Sequence, residues 1–209
     1  MIKDNKMKIL GDPNPDYLMG ITNTFTYKGI TLSAVIDIKK GGDMFSRTVP
    51  RLLGRGVTKD TEDREHTVVL KGVYGNASSK QPILDAAGNT IPNQKQLTVN
   101  ELYFSGDEGL ADLGSKTADE FRVYDATVYR LSELSLSYDL PQKWISPIGI
   151  KSCTVGVLGR NLWFFAPGFP EHTNFDPQVN TLGSSNTQGI EYQSTPSLRR
   201  FAFNLKFSF

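Results

Sequence analysis

The sequence closes on Phe201-Ala202-Phe203-Asn204-Leu205-Lys206-Phe207-Ser208-Phe209, with a large apolar side chain at every odd place. Ala202, Asn204, Lys206 and Ser208 fill the gaps. Successive side chains of a β-strand point to opposite sides of its sheet, so this alternation predicts a strand with one apolar and one polar face. Residues 151–162 repeat the pattern, with Cys153, Val155 and Val157 against Thr154, Gly156 and Arg160, and Leu158 as an intruder. Residues 126–140 alternate in their second half, Leu134, Leu136, Tyr138 and Leu140 against Ser135, Ser137 and Asp139. In their first half Val128, Tyr129 and Leu131 break the parity, which predicts a bulge or bend. Further back, residues 19–28 carry Met19, Ile21, Phe25 and Tyr27 on one face, and residues 30–39 carry Ile30, Leu32, Ala34, Ile36 and Ile38. Lys28-Gly29 joins these two strands, the glycine supplying the positive φ of a tight hairpin turn.

The connections alternate between short and long. About 2 and 10 residues separate the paired strands, whereas roughly 85 and 35 residues, rich in Gly, Pro, Asn and Asp, separate strands two from three and four from five. Soluble domains seldom carry structureless connections of that length. Outer-membrane barrels do, with short turns on the periplasmic side and long loops outside. If Phe209 ends on the short-turn side, every short turn falls there and every long loop at the opposite end.

The bulk composition is compatible with this. With 23 basic and 22 acidic residues in 209, the net charge is +1, and no broad field draws the chain to nucleic acid. A mean hydropathy of -0.32, without a long apolar run, argues against a spanning helix but not against barrel strands, which are apolar on one face only. A single cysteine, Cys153, excludes an internal disulfide framework. Residues 1–8 have no apolar core or small-residue cleavage site, so an exported protein needs its signal elsewhere.

The apolar faces end in aromatics such as Tyr27, Tyr138 and Phe209 near the short turns, where a membrane interface selects amphipathic rings. The opposite faces carry Thr, Ser, Asn, Lys and Arg, as a watery lumen requires. Five strands cannot close a membrane barrel, and an open edge in lipid leaves backbone groups unpaired, so a larger barrel or other strands are expected. The same pattern also fits a soluble β-sandwich, in which each apolar face packs on a second sheet. In that alternative the chain is a carbohydrate-binding module with Trp163 and Phe165 as stacking platforms.

Several stretches resemble one family. Gly11-Asp12-Pro13-Asn14-Pro15-Asp16-Tyr17, then Gly20, Asn23 and Phe25-Thr26-Tyr27-Lys28-Gly29, is similar to a stretch of the SusC/RagA-type TonB-linked outer-membrane proteins. Gly41-Gly42-Asp43, Tyr129-Arg130-Leu131 with residues 134–141, and the ending from Pro196 to Phe209 resemble further stretches. Gly159-Arg160-Asn161-Leu162 has Arg where the family has Gln, and Asp176-Pro177 is followed by Gln178 where the family has Glu.

The resemblance implies an all-β fold, about the last five of twenty-two strands of a transmembrane barrel, with two long extracellular loops. Residues 1–209 then form a C-terminal barrel segment without plug domain, TonB box or signal peptide. The implied function is import of glycans or peptides across the Gram-negative outer membrane, the segment supplying barrel wall, outer loops and closing strand. A SusD-like surface lipoprotein, the TonB complex reached through a missing N-terminal part, the barrel assembly machinery and outer-membrane lipid are the implied partners. No nucleic acid is among them.

Phe201, Phe203, Leu205, Phe207 and Phe209 resemble the assembly signal of such barrels, and an ordinary closing strand is the alternative. Trp163, Phe164 and Phe165 are expected to begin the second long loop, where they could stack on sugar rings or else form an upper aromatic girdle. Asp12, Asn14 and Asp16 have the oxygen spacing that opens a calcium loop but lack its glycine and glutamate, so a rigid turn is expected. Gly109 to Gly114 with Ser115-Lys116-Thr117 is one residue out of register for a phosphate loop. Arg160, Arg199, Arg200 and Lys206 are candidates to line the lumen. No catalytic arrangement, metal cluster or cofactor motif emerges, and enzyme activity is not expected.

Overall fold

The computed structural model describes residues 7–104, 119–181 and 188–209. Five long strands form its wall: β1 (Tyr17–Tyr27), β2 (Ile30–Lys40), β7 (Val128–Asp139), β8 (Ser152–Phe165) and β10 (Arg200–Ser208). They lie antiparallel in the spatial order β1-β2-β7-β8-β10. The shorter elements belong to the connections. These are β3 (Asp43–Ser46), α1 (Thr48–Gly54), β4 (Thr67–Val69), β5 (Gln96–Thr98), α2 (Val99–Tyr103), β6 (Val123–Asp125), α3 (Gln142–Ile145) and β9 (Ile190–Glu191).

Register extends the alternation of single strands into two continuous faces. Tyr27, Ile30, Tyr138, Val155 and Leu205 lie in one row across the wall. Phe25, Leu32, Leu136, Val157 and Phe203 form the next, and Asn23, Ala34, Leu134, Gly159 and Phe201 the third. On the other side Thr24 meets Ser33 and Thr26 meets Thr31 through hydroxyl pairs of 3.1 and 3.2 Å, and the Thr154 hydroxyl donates to Asp139 at 2.6 Å.

The expected parity break is a double bulge. Ser132 is the extra residue of β7 against β2, and the β7–β8 register slips between Leu131 and Glu133. Asn161 takes up the slip in β8 at φ 53. This shift restores Tyr129 and Leu131 to the apolar side, opposite Ile38 and Ile36, so one face is kept through the irregularity.

Two expectations need correction. The long connections are not structureless: a three-stranded sheet β6-β3-β9 and a two-stranded sheet β4-β5 form within them. Thr98 caps α2 in a reciprocal capping box with Glu101. The buried cluster of Met44, Val49, Leu53, Ala126 and Phe169 also lies here, at the loop end and not beneath the wall. The physical reason is that Gly/Pro-rich connections still contain short apolar runs, which collapse on one another once the wall brings their roots together. Second, β8 continues to Phe165, so Trp163, Phe164 and Phe165 are strand residues and not the start of a loop.

At the root of the first connection Gly41 and Gly42 sit at φ 74 and φ 80 under residues 13–16. A Cβ on Gly42 would stand 2.9 Å from the Pro13 carbonyl oxygen, so an alanine there meets both conformational strain and a backbone clash. Gly42→Ala is expected to cost about 1–2 kcal/mol or more, read as a lower unfolding midpoint and faster hydrogen exchange across residues 11–16.

Candidate functional site

The candidate site is the pair of faces and the cap at one end of the wall. No second layer covers the apolar face among the described residues: Phe203 is 87% exposed, Phe201 74%, Tyr27 70% and Phe25 63%. A soluble sandwich would bury these side chains, because each Phe contributes roughly 1.5–3 kcal/mol when removed from water. Rings thicken this face at the loop end, where Tyr129 stacks on Phe165 and Phe165 on Trp163 with centroids 6.4 and 6.5 Å apart. At the short-turn end the Lys151 ammonium donates to the Phe209 carbonyl at 2.9 Å, level with the β1–β2 turn side of the sheet.

On the polar face three of the stretches noted in the sequence converge. Arg130 is 7% exposed and donates through one Nη to Asp176 and through the other to Asn161. Asn161 is presented by the left-handed bulge of β8, a conformation asparagine tolerates better than most residues. Its amide also donates to the Leu198 carbonyl at 3.3 Å, and Asp176 accepts the Gln178 backbone N–H at 3.0 Å. The guanidinium lies 5.6 Å from the centre of the Phe164 ring. This clamp fixes the second long connection to the wall.

A second clamp joins the two connections. Glu191, fully buried, accepts from Ser46 Oγ at 2.7 Å, Thr48 Oγ1 at 2.5 Å, Ser194 N at 2.7 Å and Thr48 N at 3.2 Å. Burial pushes its carboxyl up, but the hydroxyl and N–H donors outweigh burial and hold it below the usual carboxylate range. A third tie runs from the Asp12 N–H to Asp43 at 3.0 Å, answered by the Asp43 N–H on the Asp12 carbonyl at 2.7 Å. Asp12 also accepts the Asn14 N–H at 2.9 Å, a local turn that fits the rigid-turn expectation for Asp12, Asn14 and Asp16. No group of three His, Cys, Asp or Glu side chains suited to a metal occurs among the described residues.

No family model matches the chain. TonB-dependent receptor P3 of Formosa agariphila is 28% identical over 204 residues, covering 97% of this chain and 17% of that relative. TonB-dependent receptor P26 of the same organism is 21% identical over 213 residues, covering 100% of this chain and 18% of that relative. The chain resembles TonB-dependent receptors. It spans less than a fifth of the length of these two, at 17% and 18%. The RagAB peptide importer superposes in its open-open state with a TM-score of 0.55 and in its closed-closed state with 0.53. Each is 16% identical and covers 94% of this chain and 17% of that one, which shows a shared fold. The wall therefore has the antiparallel strand architecture of a receptor barrel. These names describe reception and import rather than catalysis.

Within this receptor-like wall, the candidates for ligand stacking separate. Trp163 and Phe165 lie on the apolar face, in the rows of Leu131 and Tyr129, whereas Phe164 lies on the polar face opposite Arg130. Phe201, Phe203, Leu205 and Phe207 line the apolar face of β10, and Phe209 follows its last residue. Arg160, Arg200 and Lys206 share the polar face, Arg160 donating to Glu133 at 3.0 Å. The stretch from Gly109 to Thr117 lies outside the described residues.

Neither clamp was foreseen from the sequence. Arg130, Asn161 and Asp176 had a signal, since each sits in a stretch noted for its resemblance. Glu191 had none, because its donors Ser46 and Thr48 lie 145 and 143 residues away.

Two outcomes are expected. Asp176→Ala leaves the buried Arg130 charge without its carboxylate and is expected to cost about 3–5 kcal/mol locally, measured as lost exchange protection across residues 171–181. Glu191 has a depressed folded pKa, so its contribution is full above the ordinary carboxylate range and is lost as pH falls through the folded value. Limited proteolysis of the cap should therefore accelerate only under acid conditions, and Glu191→Gln should flatten that dependence.

Proposed function

We propose that this chain forms wall, outer cap and closing strand of a TonB-dependent outer-membrane importer of peptides or glycans. The observation that carries the reading is the uncovered apolar face, continuous over five strands and backed by a polar one. The two outer edges of the sheet, β1 and β10, have a strand neighbour on one side only among the described residues. In hydrocarbon such edges need further strands, which a complete barrel supplies. No helix among the described residues is long and apolar enough to cross a membrane, so the strands are the spanning elements of this reading.

In the same reading the polar face lines the lumen and the cap stands outside, beneath a SusD-like surface lipoprotein. Trp163 and Phe165 serve as an outer girdle at the lipid interface, and Phe164 is the inward aromatic available to cargo. The TonB complex engages another part of the full receptor. The assembly machinery reads Phe201, Phe203, Leu205, Phe207 and Phe209. All of these roles are proposals resting on the two faces and on the resemblance.

A pair of substitutions tests the reading. In the full-length receptor refolded into lipid, Phe203→Arg on the apolar face is expected to cost about 2–4 kcal/mol near mid-membrane. Asn204→Arg, one residue away on the polar face, is expected to cost less than about 1 kcal/mol. Phe203 is 87% exposed, so in a water-soluble protein its replacement would be nearly neutral. Equal, small effects at both positions would sink the importer reading.

A further inference from the structure

We propose that residues 41–70, 96–104 and 119–127 of the first long connection and residues 166–181 and 188–199 of the second act as one fixed rim, and that neither part opens as a separate gate while cargo enters. This rests on the importer reading and adds to it a statement about which part stays fixed.

The inference follows from where the ties run. The Arg130–Asp176 clamp joins the second connection to the wall, and Glu191 joins it to Ser46 and Thr48 of the first. Backbone bonds run alongside, Phe45 N to Gly189 O at 2.8 Å and Arg47 N to Glu191 O at 3.1 Å. A third crossing is made by the His172 N–H, 3.2 Å from both Asp60 carboxylate oxygens. Between these polar ties Phe169 stacks on Tyr124 of the first connection and on Phe175 of its own, with centroids 4.9 and 5.1 Å apart. A Cβ on Gly168 would collide with the Asp125 carbonyl oxygen, so the backbones themselves are in close contact.

A gate opens readily when its movement breaks few buried contacts. Swinging either connection alone would strip Glu191 of its Ser46 and Thr48 donors and leave buried polar groups unpaired, which is costly for each group exposed to that loss. The clamps therefore select joint immobility. Among the described residues, the arm of residues 71–95 takes no part in these clamps, and its side chains are nearly all exposed. It lies outside the proposed rim.

The test uses the full-length receptor in proteoliposomes, with native cysteines replaced and spin labels at Lys59→Cys and Thr195→Cys, both exposed positions on different connections. Pulsed dipolar spectroscopy is recorded without cargo, with a tryptic casein digest and with a starch hydrolysate as probes. One narrow distance, unchanged in all three samples, is the expected result. A second distance in any sample overturns the proposal. Adding Arg130→Met with Glu191→Gln should broaden the distribution, and a distribution that stays narrow shows that the clamps are not what holds the rim. Heat-modifiable gel migration confirms that each variant is a folded barrel. Failure of the receptor to fractionate with the outer membrane would count against the importer reading alone, since the distances are still read on the purified protein.

Discussion

On the importer reading, each long strand meets hydrocarbon on one side and water on the other, so it has no freedom of parity, and the wall is arranged around that restriction. Backbone donors and acceptors must be paired laterally, which makes a sheet obligatory. One register slip would invert every side chain of a strand. The double bulge at Ser132 and Asn161 is therefore informative: the chain inserts extra residues, yet Tyr129, Leu131, Trp163 and Phe165 return to the side occupied by Leu134, Leu136 and Val157. The irregularity is placed where β8 must also present Asn161 to Arg130. Bend, face and clamp are solved by the same few residues.

The outer cap answers a different constraint. Connections this long gain no stability from their length and must find burial of their own. They do so by sharing one small core, in which Met44, Val49 and Leu53 of the first connection meet Phe169 of the second. The polar residues within it, Glu191 and Asp176, are each satisfied by several donors. Such networks add specificity of arrangement more than raw stability, because half-satisfied alternatives are penalised heavily. The cap therefore belongs to the wall as a built part and is not a set of independent loops.

The wall was legible because its information is local. Period-two alternation along residues 201–209 or 30–38 can be counted without knowing any partner strand. The bulge was legible for the same reason, as a break in that count. The cap was not, since its decisive contacts join positions such as Ser46 and Glu191 that no periodicity relates. The stacking candidates were misplaced by a boundary: Trp163 to Phe165 look like a loop entrance because Pro167 and Gly168 follow closely, yet strand pairing with Tyr129, Arg130 and Leu131 carries β8 through them. Pairing across strands outweighed local composition there.

The polar face changes in side-chain length along its strands rather than across them. Its middle rows are Thr26, Thr31, Ser137, Gly156 and Asn204, then Thr24, Ser33, Ser135, Leu158 and Ala202. Nearer the loops the rows carry Glu133, Arg160 and Arg200, then Asp37 and Arg130. On the importer reading, a body resting on this face would come closest to the backbone at the middle rows and be held off by charged arms nearer the loops. Its seat would taper along the strands.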